Sequence, residues 1–83
     1  MKIPNENRQR EKLLLLLRET RQKYSVTQVE LAEKLGVPQS FVSKYESGER
    51  QLDILELRQI CQFIGISFDN FVRQLEERIN ETK

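Results

Sequence analysis

Residues 27–50 read TQVELAEKLGVPQSFVSKYESGER and contain two short helix patterns in succession. Thr27 is followed three residues later by Glu30, the spacing of a capping box, which marks the start of a helix. Gly36 ends the same pattern, because glycine readily adopts the left-handed conformation that often follows the last helical residue. The segment therefore begins with a helix of about eight residues.

The second helix of this segment follows almost at once. It starts at Pro38 or Gln39, where the fixed φ of proline is tolerated, and it ends before Gly48. Only Gly36 and Val37 join the two helices, so we expect them to cross steeply. Such a crossing needs a small residue at the contact, which Ala32 supplies, and a residue in the turn that accepts the left-handed conformation, which is Gly36. It also needs an apolar residue on the second helix that faces back towards the first, and Val42 fits this position.

The outer face of the second helix is polar but contains no carboxylate. Glutamine can bond to adenine, serine can donate or accept, and lysine can bind guanine or phosphate. An ordinary solvated helix face would more often be filled with Glu and Lys, so this composition favours DNA contact over simple solvation. The side chains of this face are Gln39, Ser40, Ser43, Lys44 and Ser47.

The segment resembles the helix-turn-helix of the phage repressor and Cro-like proteins, also called the XRE family. The resemblance lies in the pattern TQxELAxxLGVPQSxVSKxExGxR over residues 27–50 and extends roughly from Leu13 to Val72. It implies a compact, all-α, five-helix domain of the lambda-repressor type. In such domains the third helix enters the major groove, and dimers read a roughly palindromic operator.

The resemblance also implies roles for individual residues. Gln28 would contact a phosphate and brace Gln39, which would be the main base-reading residue. Neighbouring positions would face bases or backbone, and the turn after the helix would run along phosphates. These further positions are Ser40, Ser43 and Lys44 on the helix and Ser47, Gly48 and Arg50 at its end.

Four positions are expected to have a structural role in addition to, or instead of, a role in DNA contact. Arg21 and Glu46 match a family ion pair that links the first helix to the end of the third. Phe41 is bulkier than the residue usual at its position, so it either packs inside the domain or contacts sugar–phosphate or a thymine methyl group. Ser25 stands where the family often has glycine, so the turn after the first helix is expected to differ slightly.

The remaining sequence predicts three more helices. The first runs from about Glu6 to Lys23, the fourth from a capping box at Asp53 to Gly65, and the fifth from Ser67 towards the C-terminus. We expect one domain over residues 1–83 with its core at about 8–75. The ends, 1–5 and 80–83, are expected to be flexible.

Apolar residues exceed what a minimal five-helix core needs. Of the five consecutive leucines 13–17, Leu14 and Leu15 point away from the predicted core stripe, and Ile54 is expected on the inner face of the fourth helix. Two explanations are open: the long first and last helices pack on each other, or some residues form a homodimer interface. The interface candidates are Leu55, Phe63, Phe71 and Leu75.

Composition limits the function classes. The 83 residues have a net charge of +1, one cysteine and no histidine, which argues against a disulfide framework, a zinc site or a histidine-based catalytic triad. Residues 1–23 carry seven basic and three acidic side chains, whereas residues 53–83 carry four and six, so the small net charge conceals a basic end. We expect no enzyme activity and no cofactor, and neither a membrane span nor a signal peptide is apparent, which favours a cytoplasmic protein.

The function that best fits these patterns is sequence-specific DNA binding by a transcriptional regulator. A small dimeric repressor is the first hypothesis, with double-stranded DNA and a second copy of the chain as partners. The alternative is an interaction module on the same fold, such as an antitoxin whose main partner is another protein. A restriction–modification controller is a third possibility of the same biochemical class as the repressor.

Overall fold

A computed structural model describes residues 6–81 as five helices, with no strand among these residues. The helices are α1 (Glu6–Lys23), α2 (Gln28–Leu35), α3 (Gln39–Ser47), α4 (Ile54–Ile64) and α5 (Phe68–Asn80). The all-α, five-helix prediction is confirmed. Of the ends expected to be flexible, 1–5 and 80–83, residues 1–5 and 82–83 lie outside the described residues, whereas Asn80 is the last residue of α5.

Both predicted capping boxes are present. Thr27 Oγ1 accepts a hydrogen bond from Glu30 N at 3.1 Å, and Thr27 N donates to Glu30 Oε1 at 2.9 Å. Asp53 and Glu56 make the equivalent bonds at the start of α4. The hydrogen bond from the backbone N–H of Thr27 lowers the pKa of the Glu30 carboxyl group, because it favours the ionised form.

Four of the five described helices, α1 to α4, are followed by a residue in the left-handed backbone conformation. Gly36, Gly48 and Gly65 follow α2, α3 and α4 in the left-handed conformation. Ser25, after α1, adopts the same conformation with φ of 58°, although it carries a side chain. Ser25 therefore gives this turn the same backbone geometry as a glycine would. The difference from glycine is energetic, because a residue with a side chain is less stable in the left-handed conformation.

The core lies where α1, α2, α3 and α4 meet, and Phe71 of α5 completes it. Cys61 is buried there, and burial raises the pKa of its thiol to about 12, so it behaves as a small apolar residue. Thr20 is also buried and satisfies its hydroxyl by donating to Leu16 O at 2.6 Å. The buried apolar residues are Leu16, Leu17, Leu31, Ala32, Val42, Tyr45, Ile60, Cys61, Ile64, Ile66 and Phe71.

The structure corrects two expectations about helix faces. Ile54 was expected on the inner face of α4 but is 67% exposed, because it is the first residue of the helix and lies at the edge of the core. Leu14 was expected to point away from the core but packs against it. Its Cδ1 approaches within 3.7 Å of where a Cβ at Gly48 would lie, so the end of α3 covers it. Leu15 is exposed, as expected.

The first and last helices pack on each other within one chain. Lys12 Nζ donates to Arg78 O at 2.9 Å, and Arg78 pairs with Glu19. Phe71 was expected at a dimer interface but is fully buried in the protomer's own core, where it has no exposed surface for a second chain to contact. Leu75 is half-buried against the same core. Of the four interface candidates, Leu55 and Phe63 are the exposed ones.

Candidate nucleic-acid interface

The turn between α2 and α3 determines the orientation of α3 relative to the core. Gly36 has φ of 73°, and Val37 N donates back to Ala32 O at 3.0 Å, which closes the end of α2. Pro38 then precedes the first residue of α3 in an extended conformation. Val42 and Tyr45 are fully buried, so the inner side of α3 is attached to the core and its opposite side faces outward.

The outward side of α3 consists of the predicted polar residues. Ser43 Oγ bonds Ser40 O at 3.3 Å and Ser47 Oγ bonds Lys44 O at 3.0 Å, so these hydroxyls lie along the helix. The side chains of Gln39 and Lys44 are exposed and bond no other described residue, which leaves them able to contact a ligand. All five residues of this face are exposed: Gln39, Ser40, Ser43, Lys44 and Ser47.

The carboxylate of α3, on Glu46, is turned inward. Arg21 Nε donates to Glu46 Oε2 at 2.7 Å, and Arg21 Nη2 donates to Glu46 Oε1 at 3.1 Å, so the structure brings together the two residues expected to pair. The hydrogen bond to Glu46 raises the pKa of Arg21. Because its acid is buried and neutralised in this way, the exposed face of α3 presents no negative charge to an approaching phosphate.

Gln28 bonds a different partner from the one expected. Its Nε2 donates to Glu46 Oε1 at 3.0 Å, whereas the resemblance implied that it would brace Gln39. This bond uses one of two Nε2 hydrogens, so the side chain still has a donor for a phosphate. Gln28 is also the first residue of α2, where backbone N–H groups favour anions.

Phe41 packs and supports a cation at the same time. Its ring meets Tyr45 edge to face, with centroids 6.1 Å apart, and it lies half-buried at the rim of the core. The guanidinium carbon of Arg50 lies 4.3 Å from the Phe41 centroid. Arg50 also donates from Nη2 to Glu56 Oε2 at 2.8 Å. Sequence reasoning missed this last contact, since no motif links Arg50 to a residue six positions later.

Comparisons with known proteins identify the family. A helix-turn-helix family model matches residues 17–71. A solved XRE-family-like protein from Pseudomonas syringae pv. tomato str. DC3000 is 44% identical, with a TM-score of 0.82, over 87% of this chain and 88% of that one. The chain belongs to the XRE family of helix-turn-helix proteins. As a member it is a DNA-binding transcription regulator.

A second solved structure is similar at lower identity. The wild-type restriction–modification controller protein C.Esp1396I is 25% identical, with a TM-score of 0.80, over 88% of this chain and 95% of that one. A single-substitution variant of that controller gives a TM-score of 0.81. No curated protein sequence matches the chain.

Among residues 6–81, no three His, Cys, Asp or Glu side chains lie together as a metal site would require. No helix in this range is long and apolar enough to cross a membrane. Regulators of this fold are generally not enzymes.

Proposed function

We propose that this XRE-family protein is a small dimeric repressor that reads a pseudo-palindromic operator through α3 in the major groove. The observation that carries the proposal is the acid-free outer face of α3, which exists because Glu46 is turned into the protein and paired with Arg21. A regulator of this kind acts where the chromosome is, so we place it in the cytoplasm. Double-stranded DNA and a second copy of the chain are the proposed partners.

The proposed contacts divide into base reading and backbone binding. Gln39 reads bases from the exposed start of α3, with Ser40, Ser43 and Lys44 beside it. Ser47, Arg50 and Gln28 approach phosphates from the ends of α3 and the start of α2. Phe41 serves mainly as packing, because its ring is half-buried and covered on one side by Arg50.

Selection of bound duplexes from random DNA tests this function. We expect enriched sites with two-fold symmetry, whose half-sites lie about one helical turn apart, at ~10 base pairs from centre to centre. Enrichment of no sequence, or of sites without symmetry, would contradict the proposed dimeric reading.

Substitution of Gln39 tests the assignment of α3. Gln39→Ala is expected to weaken binding to the selected site by ~1–3 kcal/mol while sparing non-specific affinity. Gln9→Ala removes a matched amide from the exposed side of α1 and serves as the control. Unchanged preference in both Gln39→Ala and Lys44→Ala would show that another surface reads the DNA.

The likeness to a restriction–modification controller supports a second, narrower candidate function. In that case the chain would control genes for DNA-cutting and DNA-modifying enzymes. The selected operator would then occur beside such genes. An operator found only at distant genes would favour the general repressor instead.

A further inference from the structure

Arg50 is held on three sides in the free protein. Its guanidinium stacks over Phe41, its Nη1 donates to Gln51 O at 3.1 Å, and its Nη2 donates to Glu56 Oε2 at 2.8 Å. The Arg50 side chain still has 39% of its surface exposed. A phosphate can therefore reach this cation, but it meets a charge that Glu56 already neutralises.

Glu56 cannot move away from Arg50 without breaking the capping box of α4. Its Oε1 accepts a hydrogen bond from Asp53 N at 2.9 Å, and its own N donates to Asp53 Oδ1 at 2.8 Å. One carboxylate oxygen thus closes the capping box of α4, while the other faces Arg50. The capping box keeps a negative charge beside the loop that follows α3 (residues 48–52).

We propose that Glu56 lowers the affinity of this loop for DNA phosphates by neutralising Arg50. The inference rests on the proposed function, in which Arg50 is a phosphate contact. Phosphate contacts supply the sequence-independent part of DNA affinity and its dependence on salt. Glu56 therefore determines how much of that affinity Arg50 contributes, without contacting DNA itself.

The surroundings of Arg50 favour attenuation over positioning. The Phe41 ring and the Gln51 carbonyl already orient the guanidinium, so Glu56 adds little to its placement. The charge of Glu56, in contrast, has no second cation to balance it among the described residues. Exposed ion pairs of this kind are weak, so a phosphate can compete for Arg50 but gains less than it would from a free arginine.

Glu56→Gln separates the two roles of this carboxylate. Glutamine keeps the capping box, since its oxygen still accepts from Asp53 N, but it turns an amide N–H group towards the Arg50 donor. We expect the variant to bind both the selected operator and an unrelated duplex about threefold to fivefold more tightly at about 0.1 M salt. The log–log salt slope should steepen by at most about 0.9 per protomer, the value for one whole phosphate contact, because Arg50 already supplies part of this contact in the wild-type protein.

A double-mutant cycle shows whether the effect passes through Arg50. In an Arg50→Gln background, Glu56→Gln should give no gain, because the cation that it releases is gone. Glu76→Gln makes the same change in net charge at an exposed site on α5 and should leave affinity unchanged. Fluorescence anisotropy with labelled duplexes measures all five proteins.

Three results would contradict the proposal in distinguishable ways. A Glu56→Gln variant that bound no more tightly than wild type would overturn the role of Glu56 alone. A gain that persisted in the Arg50→Gln background would show that Glu56 repels phosphate directly. Failure of the wild-type chain to bind any duplex would refute the proposed function as well.

Discussion

Arg21 and Glu46 form a bidentate ion pair that links the end of α1 to the end of α3. Their side chains are only 9% and 4% exposed. The third arginine nitrogen, Nη1, donates to Val26 O at 2.9 Å, and Gln28 donates to the same carboxylate. The pair therefore joins α1, the turn after it, α2 and α3 at one point.

Breaking this pair is expected to destabilise the domain strongly. Glu46→Gln leaves the buried Arg21 charge uncompensated, which should lower the free energy of unfolding by ~3 kcal/mol. Urea denaturation followed by circular dichroism measures the loss. Glu19→Gln is the matched control, because Glu19 pairs with Arg78 on the surface and should cost at most ~1 kcal/mol. Equal losses in both variants would contradict a special role for the buried pair.

The turn after α1 contains a serine in a glycine conformation. Ser25 N donates to Gln22 O and Val26 N donates to Arg21 O, both at 3.0 Å, which is the Schellman pattern with Ser25 in the left-handed position. Ser25→Gly should raise the free energy of unfolding by ~0.5–1 kcal/mol, because relief of backbone strain outweighs the added entropy of the unfolded chain.

Ser67 provides the control for that substitution. Its φ is −67°, and its side chain makes no capping bond, so Ser67→Gly relieves no strain and should not stabilise the protein. Thermal and urea unfolding of the two variants, compared at equal salt, separate the effects. Equal stabilisation by both substitutions would argue against strain at Ser25.

The helices were predictable because their signals are local. The two capping boxes and the glycines at positions 36, 48 and 65 set helix boundaries through contacts within a few residues. The sequence predicted less accurately which side chains are buried at the edges of the core. Helical period alone placed Ile54 inside and Leu14 outside, whereas burial depends on where neighbouring helices end.

The exposed polar face of α3, which we propose reads DNA, was predictable for a similar reason. The contacts that support this face were not predictable. Burial of Val42 and Tyr45 fixes which side of α3 faces outward, so the polar residues opposite them are exposed. The bonds from Gln28 to Glu46 and from Arg50 to Glu56 join separate helices or loops. Their geometry follows from tertiary packing, about which residue spacing carries no information.

Tyr45 buries a hydroxyl that has no hydrogen-bond partner among the described residues. Burial raises the pKa of this phenol, because its ionised form would be even harder to accommodate. Tyr45→Phe removes the unsatisfied group and keeps the ring that meets Phe41, so we expect a gain in the free energy of unfolding of ~1 kcal/mol. Tyr24→Phe, at an exposed tyrosine, is the control and should leave the free energy of unfolding nearly unchanged. A lower free energy of unfolding in Tyr45→Phe would contradict the prediction and show that the hydroxyl has a hydrogen-bond partner in solution.

For the proposed homodimer, the interface candidates that stay exposed are Leu55 and Phe63, which are 70% and 39% exposed on α4. Phe63→Glu and Leu55→Glu should each shift the protein from twice the 9.9 kDa protomer mass towards one protomer in sedimentation equilibrium, since a buried charge opposes association. Leu15→Glu introduces the same charge at an exposed leucine on α1 and should leave the dimer intact. Circular dichroism must show all three variants folded, and a folded Phe63→Glu protein of unchanged mass would exclude this face from the dimer.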